Sequence, residues 1–477
     1  MQSNLNRRSF IQRAALAAAS APFLDFPNPG AAASSRPAGK LRCAQVGCGA
    51  RARTHLEQVF ARYGQNLTAI VDPDERTHPG VLRCLKDKGI DPGQVRAFTD
   101  YRVMFDKMSG QLDAVLIAAP NHHHANVALM ALERGINVYC EKPLCHDIAE
   151  ARRLRAAAAR YNRVATQMGI QGHCMGGYHR LCEYIRAGAI GHVTETHSWT
   201  NKCNGGVGPR PPALPAPPGL HWDWWIGPAP CRDYHADLHP HEWHGWYDFG
   251  NGTLGNMGCH VLDGVFWALK IEHPESIEAE MIRGGTDERC PTGSRVRWDI
   301  PARANLPPLK VYWYEGLNAT ATESPVGAYR SVQGKARNLP PLLGQLQKEY
   351  PDEELDVGEG GTFYVGDKGI IFTQAYGERM HIVPMERMDR LPPPPITLPR
   401  PKDVFGDFID ACLAGASQTA VPFDYGARLT EFVILGNLAQ HAGVHRQVQW
   451  DGPNMKVTNL PELNHWLQRQ PRQGWAV

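Results

Sequence analysis

The chain lacks several features that would point to particular classes of protein. Its charge is nearly balanced, with 50 Lys and Arg against 48 Asp and Glu, so nothing favours nucleic acid or an anionic membrane surface as a partner. No uninterrupted apolar run is long enough to span a bilayer. The 12 cysteines form no Cys-x-x-Cys pair, which argues against a zinc ribbon or an iron–sulfur cluster. The sequence also contains no internal repeat.

Histidine, tryptophan and proline are abundant, with 21, 12 and 38 residues. Imidazoles and large rings in such number suggest a polar small-molecule site lined by aromatic side chains. The hydrophobic share of 43% provides for sizeable cores. At 477 residues the chain is longer than one core usually organises, so we expect two domains.

The N-terminal segment has the pattern of a targeting signal. Arg7 and Arg8 precede a short, alanine-rich apolar run at residues 14–24, and the alanines at 31–33 offer a cleavage site. The pattern resembles a bacterial twin-arginine signal, which predicts a signal peptide at residues 1–33 and a periplasmic or otherwise exported protein. That pathway carries folded proteins, often with a cofactor already bound. The alternative is a basic N-terminus without structure.

A glycine fingerprint follows the first predicted strand, residues 41–46. Gly47, Gly49 and Ala52 form a Gly-x-Gly-x-x-Ala pattern ahead of a helix that we expect to begin near Thr54. Gly47 permits the tight turn, Gly49 lets the backbone approach a pyrophosphate, and Ala52 permits close packing of helix on strand. The N-terminus of the helix supplies free N–H groups for the phosphates.

Asp72 ends the next predicted strand, residues 67–71, about twenty residues beyond the glycines. A carboxylate there accepts hydrogen bonds from the ribose hydroxyls and repels a 2′-phosphate, which favours NAD over NADP. The alternative is a turn former or helix cap before Pro73. Arg76 follows closely and would weaken the discrimination between the two cofactors.

Three consecutive histidines, residues 122–124, follow Pro120 and Asn121 at the end of the predicted strand 114–118. Adjacent residues do not share a face of a helix or strand, so a shared metal ion is disfavoured. We expect one or two of these imidazoles to line the nicotinamide end of a cofactor crevice.

Glu141, Lys142 and Pro143 end a buried strand, residues 138–140. Pro143 fixes its own φ and favours an extended conformation at Lys142. Because ligands bind beyond the carboxyl ends of parallel strands, Lys142 would project into the cofactor crevice. The alternative is an ordinary surface turn with two opposite charges.

Residues 220–249 combine tryptophan and tyrosine rings with several histidines. Flat apolar rings beside imidazoles suit a sugar, which has apolar C–H faces and polar edges. A plain aromatic core is one alternative. A metal site at His239, His241 and His244 is another, although no spacing matches His-Glu-x-x-His.

A glycine-rich turn after residue 249 leads into a helix that is predicted to continue to about residue 269. Asn256, His260 and Asp263 are spaced so that they share one face of this helix if it starts early enough. Residues 318–359 are rich in proline, glycine and charge and predict a long surface insertion.

The order of these motifs resembles the Gfo/Idh/MocA oxidoreductases, a family that includes inositol dehydrogenase and the periplasmic glucose–fructose oxidoreductase. The resemblance runs nearly from residue 40 to the C-terminus. His260 falls on the family's catalytic histidine, and Asn256 falls where many members have a catalytic aspartate. Asn256 is a departure, because an amide can hydrogen-bond a hydroxyl but cannot take a proton.

The expected fold class is α/β, with a doubly wound parallel Rossmann sheet followed by an α/β domain with an open, mostly antiparallel sheet. We predict an NAD-binding domain at residues 40–164 and a substrate domain at 165–400. The resemblance implies that the C-terminal helices, in residues 401–477, pack back on the core. It also implies a homo-oligomer, a dimer or a tetramer.

The residues and the resemblance together define a predicted site without a metal ion. The predicted catalytic residues are Lys142, His260 and Asn256. The predicted cofactor-binding residues are Gly47, Gly49, Ala50, Arg51, Asp72, Pro120, Asn121, His124, Glu141, Lys142 and Gln171. The predicted substrate-binding residues are Lys142, His173, Trp243, His244, Asn256 and His260.

The resemblance implies hydride transfer between a sugar or polyol hydroxyl carbon and NAD, in an exported protein with a tightly held cofactor. Two alternatives stay open. One is a redox-assisted glycosidase on the same fold. The other is a non-catalytic sugar- or cofactor-binding protein, for which Asn256 is the main support.

Overall fold

The computed structural model of the chain describes residues 39–321 and 330–477. The predicted signal peptide, residues 1–33, lies outside the described residues. Within them, no helix combines the length and the apolar character needed to cross a membrane.

Six parallel strands form the first sheet, in the order β3-β2-β1-β4-β5-β6. Their bounds are β1 Arg42–Val46, β2 Asn66–Val71, β3 Arg96–Phe98, β4 Ala114–Ile117, β5 Asn137–Glu141 and β6 Thr166–Gly169. The strand order reverses between β1 and β4, and a crevice for ligands opens at such a point beyond the carboxyl ends. Gly47, Asp72, Pro120 and Lys142 all follow strands of this sheet and therefore share one edge.

Helices flank this sheet, and the first of them begins earlier than predicted. The first begins at Ala50, directly after Gly49, rather than near Thr54, and it continues as a π-helix over Leu56–Arg62. The helix after β4 begins at Asn121, because Pro120 ends the extended segment and needs no hydrogen-bond partner for its nitrogen. The helices of this half are Ala50–His55, His78–Asp87, Tyr101–Met108, Asn121–Glu133 and Ile148–Arg160.

Nine strands form the second sheet, in the order β15-β14-β13-β7-β11-β10-β9-β16-β17. Strands β7 and β11 are parallel, and the other neighbours pair antiparallel. The bounds of these nine strands are β7 Val193–Thr200, β9 Ser276–Arg283, β10 Gly293–Ile300, β11 Leu309–Gly316, β13 Gly360–Gly366, β14 Gly369–Gln374, β15 Met380–Val383, β16 Val448–Asp451 and β17 Lys456–Val457. A separate two-stranded antiparallel sheet pairs β8 Lys202–Cys203 with β12 Arg330–Ser331. The predicted fold class is confirmed.

The helix Phe423–Ala442 joins the two halves. It packs on the helix Ile148–Arg160 and on strands of both sheets, β6, β9 and β10. Its Phe432 carbonyl accepts a hydrogen bond of 3.1 Å from the indole N–H of Trp298, which is fully buried. The other helices of the second half are Gly176–Arg186, Trp222–Ile226, Cys259–Val261, Asp263–Ala268, Pro341–Glu349, Met385–Asp389 and Val404–Ala414.

Two predictions, a domain boundary and a surface insertion, differ from the structure. Strand β6 pairs with β5, so it belongs to the first sheet, whereas the predicted boundary at residue 164 placed it in the second domain. The predicted surface insertion at residues 318–359 includes the helix Pro341–Glu349, which packs into the protein. Leu343 and Leu346 are buried with Trp199 in one apolar cluster, because they lie on the same face of that helix.

The turn after β1 supports a stability test of the close approach at Gly47. Gly47 has φ +86°, and a Cβ there would lie 2.5 Å from the carbonyl oxygen of Ala118. Gly47→Ala should lower the free energy of unfolding by more than the ~1–2 kcal/mol that a left-handed L-residue costs. Gly49→Ala is the control, because a Cβ there meets no described atom within 4 Å. Chemical denaturation measures both, and equal midpoints would contradict the close approach.

Candidate functional site

A cavity of about 700 Å³ lies at the carboxyl edge of the first sheet. Its volume falls in the range of about 300–1,000 Å³ that is typical of small-molecule sites. The ends of β1, β2, β4 and β5 form one side of the cavity, and residues from 224 to 244 line it as well. Every predicted cofactor residue except Gln171 lines this cavity.

Gln171 lies in the short 3-10 turn Gln171–Cys174, which follows β6. Its Oε1 atom is buried and has no hydrogen-bond partner among the described residues. Because the turn does not line the cavity, the cofactor contact of Gln171 stays a prediction.

Asp72 shapes the turn at the end of β2 and also lines the cavity. Its carboxylate accepts hydrogen bonds from the backbone N–H of Cys48, at 2.7 Å, and from that of Asp74, at 2.9 Å. Burial raises the pKa of Asp72, and the two backbone donors oppose that rise. Each oxygen has a further lone pair, so the residue can hold the turn and still accept from a ligand hydroxyl.

Glu141 anchors the turn that carries Lys142. Its Oε1 atom lies 2.8 Å from Nε of Arg51 and 2.9 Å from Nε2 of His55, both on the helical segment that follows the glycine turn. Burial alone would raise the pKa of Glu141, but Arg51 and His55 outweigh it and lower the pKa to about 2. An ionised, buried carboxylate therefore ties the end of β5 to the start of the first helix.

Lys142 crosses from the first sheet to the second half of the protein. Its Nζ donates to Asn256 twice, to the backbone carbonyl at 2.7 Å and to Oδ1 at 3.0 Å. Burial lowers the pKa of Lys142 to about 8, and the charge of Glu141 limits the fall. The peptide bond between Lys142 and Pro143 is cis.

His260 lies beside this contact, although it does not line the cavity. Its ring centroid is 4.8 Å from that of Tyr376, and its Nδ1 atom is buried without a partner among the described residues. Burial and the nearby charge of Lys142 hold the pKa of His260 well below its ordinary value. His260 is therefore a neutral imidazole with an unused ring nitrogen.

The predicted helix through Asn256, His260 and Asp263 is irregular. Leu254–Gly258 is π-helical, and Leu262, with φ −86° and ψ −7°, lies between the short α-helices Cys259–Val261 and Asp263–Ala268. The carboxylate of Asp263 contacts His173 Nδ1 at 2.9 Å and the Tyr425 hydroxyl at 2.6 Å.

His173 is not among the residues that line the cavity. Its ring stacks on Trp267 with centroids 3.9 Å apart, and its Nδ1 atom contacts Asp263. Trp243 and His244 do line the cavity, with their rings stacked at 3.6 Å. The substrate contacts of these three residues stay predictions.

The aromatic segment at residues 220–249 serves two purposes. Trp246 and Phe249 pack in a buried apolar cluster, Trp224 lines the cavity, and Trp225 and Trp243 do both. His239, considered as a metal ligand, lies 2.8 Å from the carboxylate of Asp74. In residues 39–321 and 330–477 no group of three or more His, Cys, Asp or Glu could hold a metal ion.

The histidines at 122–124 fasten other segments to the first sheet. The Nε2 atoms of His122 and His123 lie 2.9 and 2.8 Å from the carbonyl oxygen of Trp225. The ring of His124 lies between the carbonyl of Pro143, at 2.8 Å, and that of Ala119, at 2.7 Å. His123 and His124 line the cavity, so they combine a structural role with a position beside the ligand space.

No sequence motif marks Glu359, Lys202 and Tyr376, the last of which lies beside His260. Glu359 forms an ion pair of 2.6 Å with Lys202 and accepts a 2.6 Å hydrogen bond from the Tyr376 hydroxyl. The negative charge of Glu359 acts on Lys142 and favours its charged form. These residues lie far apart in the chain, and only their contacts bring a carboxylate close to the lysine that faces Asn256.

Two family models match the chain, and together they follow its two halves. Residues 41–169 match the model described as an oxidoreductase family, NAD-binding Rossmann fold. Residues 190–291 match the model of the C-terminal alpha/beta domain of the same oxidoreductase family. The predicted NAD-binding Rossmann domain is confirmed.

Among individual proteins, inositol 2-dehydrogenase 4 of Saccharopolyspora erythraea is 32% identical to this chain over 163 residues, which are 33% of this chain and 44% of that protein. Inositol 2-dehydrogenase of Corynebacterium glutamicum is 30% identical over 154 residues, which are 32% of this chain and 43% of the relative. The chain thus spans less than half the length of these relatives.

Solved structures share the fold along most of the chain. The WlbA dehydrogenase from Bordetella pertussis, in complex with NADH and UDP-GlcNAcA, has a TM-score of 0.55 at 15% identity and covers 86% of this chain and 99% of its own. The aldose-aldose oxidoreductase from Caulobacter crescentus, complexed with glycerol, has a TM-score of 0.50 at 17% identity, with coverages of 86% and 100%.

The charge of Glu359 leads to a prediction for the pKa of Lys142. Glu359→Gln removes a negative charge that favours the ammonium form, so the pKa of Lys142 should fall below about 8. The pH dependence of Lys142 acetylation by acetic anhydride, followed by mass spectrometry, measures that pKa. Glu354→Gln is the control, because this exposed carboxylate pairs with Arg379 instead. An unchanged midpoint in Glu359→Gln, or an equal shift in the control, would exclude the coupling.

Proposed function

We propose that this chain is an oxidoreductase of the Gfo/Idh/MocA family, whose two domain models match residues 41–169 and 190–291, and that it oxidises or reduces a sugar or polyol hydroxyl carbon by hydride transfer with NAD. One observation carries the proposal. Lys142, which follows the last residue of β5 in the nucleotide half, donates to Asn256 in the other half, and both residues line the same cavity.

The residues at the carboxyl edge fit a dinucleotide. A Cβ at Gly49 would meet no described atom, so the backbone there leaves open space for a pyrophosphate beside the N-terminus of the first helix. Asp72 retains lone pairs for the ribose hydroxyls. When bound, NAD supplies the hydride acceptor and donor.

Lys142 is the proposed acceptor for the hydroxyl proton. With a pKa of about 8, it holds a useful fraction of neutral amine near neutral pH, which suits a general base. Asn256 cannot take a proton and would orient the amine through its two oxygens. His260 is kept neutral by burial, and because it does not line the cavity its part in the reaction stays a prediction.

The aromatic segment supports the proposal of a tightly held cofactor. His239 contacts Asp74 at 2.8 Å, and the carbonyl of Trp225 contacts both His122 and His123. These contacts fasten a wall of the cavity to the nucleotide half, so release of a bound dinucleotide would require breaking buried hydrogen bonds. A retained cofactor that is reduced and reoxidised in one cycle would suit the export that the N-terminal pattern suggests.

Two further outcomes belong to the same proposal. A retained cofactor could support redox-assisted cleavage of a glycosidic bond, because transient oxidation of a hydroxyl carbon acidifies the neighbouring C–H. Asn256, where a carboxylate was expected, instead favours a protein that binds a sugar or cofactor without turnover. Release of an aglycone would distinguish the first outcome, and the lack of any redox change would distinguish the second.

The test begins with the purified protein and its nicotinamide absorbance. We expect the absorbance to change when sugars or cyclitols are added, and Lys142→Ala should reduce that rate by ~10²–10⁴-fold, as loss of a general base does. Lys107→Ala is the control, because Lys107 is exposed on the helix Tyr101–Met108. The enzyme proposal fails if no sugar changes the absorbance, and retained turnover in Lys142→Ala would remove Lys142 from the mechanism.

A further inference from the structure

A second cavity, of about 380 Å³, is lined by the continuation of the loop that begins at Lys142. His146 and Asp147 contribute from that loop, Asn437 and His441 from the long helix, and Trp466 and Arg469 from the C-terminal segment. The family models end before the C-terminal residues, at 291. The cavity is separate from the one that holds Lys142.

Aromatic rings form one wall of this cavity. The rings of His441 and Trp466 stack with centroids 3.7 Å apart and an interplanar angle of 12°. Tyr247 lies next to them, with its ring 4.2 Å from that of His441. A flat surface of this kind suits the apolar C–H face of a ring, and its Tyr and Trp also carry polar groups.

Three buried polar atoms around the cavity have no hydrogen-bond partner in the part of the chain that the structure describes. They are Nδ1 of His146, Oδ1 of Asn437 and Nη1 of Arg469. Buried polar groups are nearly always satisfied, so three of them around one space indicate a ligand or ordered water.

The three atoms define the chemistry of what they can bind. Nε2 of His146 lies 2.7 Å from the carbonyl oxygen of Tyr247 and must donate to it, which leaves Nδ1 as an acceptor in the neutral ring. Burial and the charge of Arg469 lower the pKa of His146 to about 4, so the ring is neutral. The residues that line the cavity therefore carry two unpaired acceptors, on His146 and Asn437, and one unpaired donor, on Arg469.

This combination favours neutral hydroxyl groups over ions. An anion accepts hydrogen bonds only and would face two acceptors, whereas a cation donates only and would face Arg469. The charge of Arg469 is already offset, because it pairs with Glu150 and lies 4.0 Å from Asp147. Hydroxyls both donate and accept, so they satisfy all three atoms.

We infer that this cavity is a second ligand site, distinct from the proposed catalytic one, and that it takes a neutral cyclic polyol, a monosaccharide or a cyclitol. The ring face of the polyol packs on the aromatic wall, and its hydroxyls form hydrogen bonds with His146, Asn437 and Arg469. The site depends on residues that the proposed hydride transfer does not use.

Asn251 connects the second site to the cofactor cavity. Its Nδ2 donates to the carbonyl of His146 at 2.9 Å, and its own carbonyl accepts from Asn437 Nδ2 at 3.3 Å. Its Oδ1 accepts from Asn121 Nδ2 at 3.2 Å, and Asn121 lines the cofactor cavity. A polyol held by His146 and Asn437 restrains Asn251, and through it Asn121, so the two sites should affect each other's affinity reciprocally.

Equilibrium dialysis of the full chain with radiolabelled myo-inositol and glucose tests the inference without requiring turnover. We expect Trp466→Leu to bind one polyol fewer per chain than the unaltered protein, or to bind it at least tenfold more weakly. Trp466 is half-buried, so the variant should fold. Tyr161→Leu is the matched control, because Tyr161 is also half-buried but lines neither cavity.

Lys142→Ala separates this inference from the proposed function. It should retain the binding that Trp466→Leu removes, even if Lys142 proves to have no role in catalysis. As a further readout, the polyol should change the dissociation rate of bound NADH in the unaltered protein and not in Trp466→Leu.

Three results would overturn the inference. The first is unchanged binding in Trp466→Leu. The second is a crystal soaked in either polyol that shows only water in the cavity. The third is a change of oligomeric state in Trp466→Leu, which would mean that a second copy of the chain covers the cavity.

Discussion

The buried contacts of Glu141, an ion pair with Arg51 and a hydrogen bond with His55, hold the nucleotide half and the proposed catalytic lysine in one arrangement. Arg51 and His55 reach Glu141 from the segment that follows the glycine turn, and Lys142 is its direct neighbour in the chain. A carboxylate taken out of water is stable only while its partners stay in place, so loss of one partner leaves a costly unpaired charge. The glycine turn that would face the phosphates and the lysine that would face the substrate are consequently positioned by the same contact.

The aromatic segment shows how the second half completes a site that the first half begins. Trp225 is buried, and its carbonyl contacts two histidines of the first half, while its side chain lines the cavity together with Trp224 and Trp243. Trp225 and Trp243 also belong to the buried apolar cluster, so the same rings fill a core and border the space for a ligand.

The sequence predicted the architecture because alternating strands, the glycine turn and the ends of β2, β4 and β5 are local patterns with one spatial consequence. It predicted the nucleotide side of the cavity for the same reason. It did not predict Glu359, Lys202 and Tyr376, because their association depends on the pairing of distant strands. The π-helical segment Leu254–Gly258 was also unpredicted, since helical spacing alone does not reveal it, and neither were the contacts of Asp263 with His173 and Tyr425.

One of the two oxygens that hold the amine of Lys142 belongs to the main chain of residue 256. A backbone carbonyl is present whatever side chain that residue carries, so the fold itself sets the lysine's direction. The side chain at position 256 can therefore change in charge while the amine of Lys142 keeps its direction. Evolution, or a protein engineer, can adjust the reactivity of this site at one position without rebuilding its geometry.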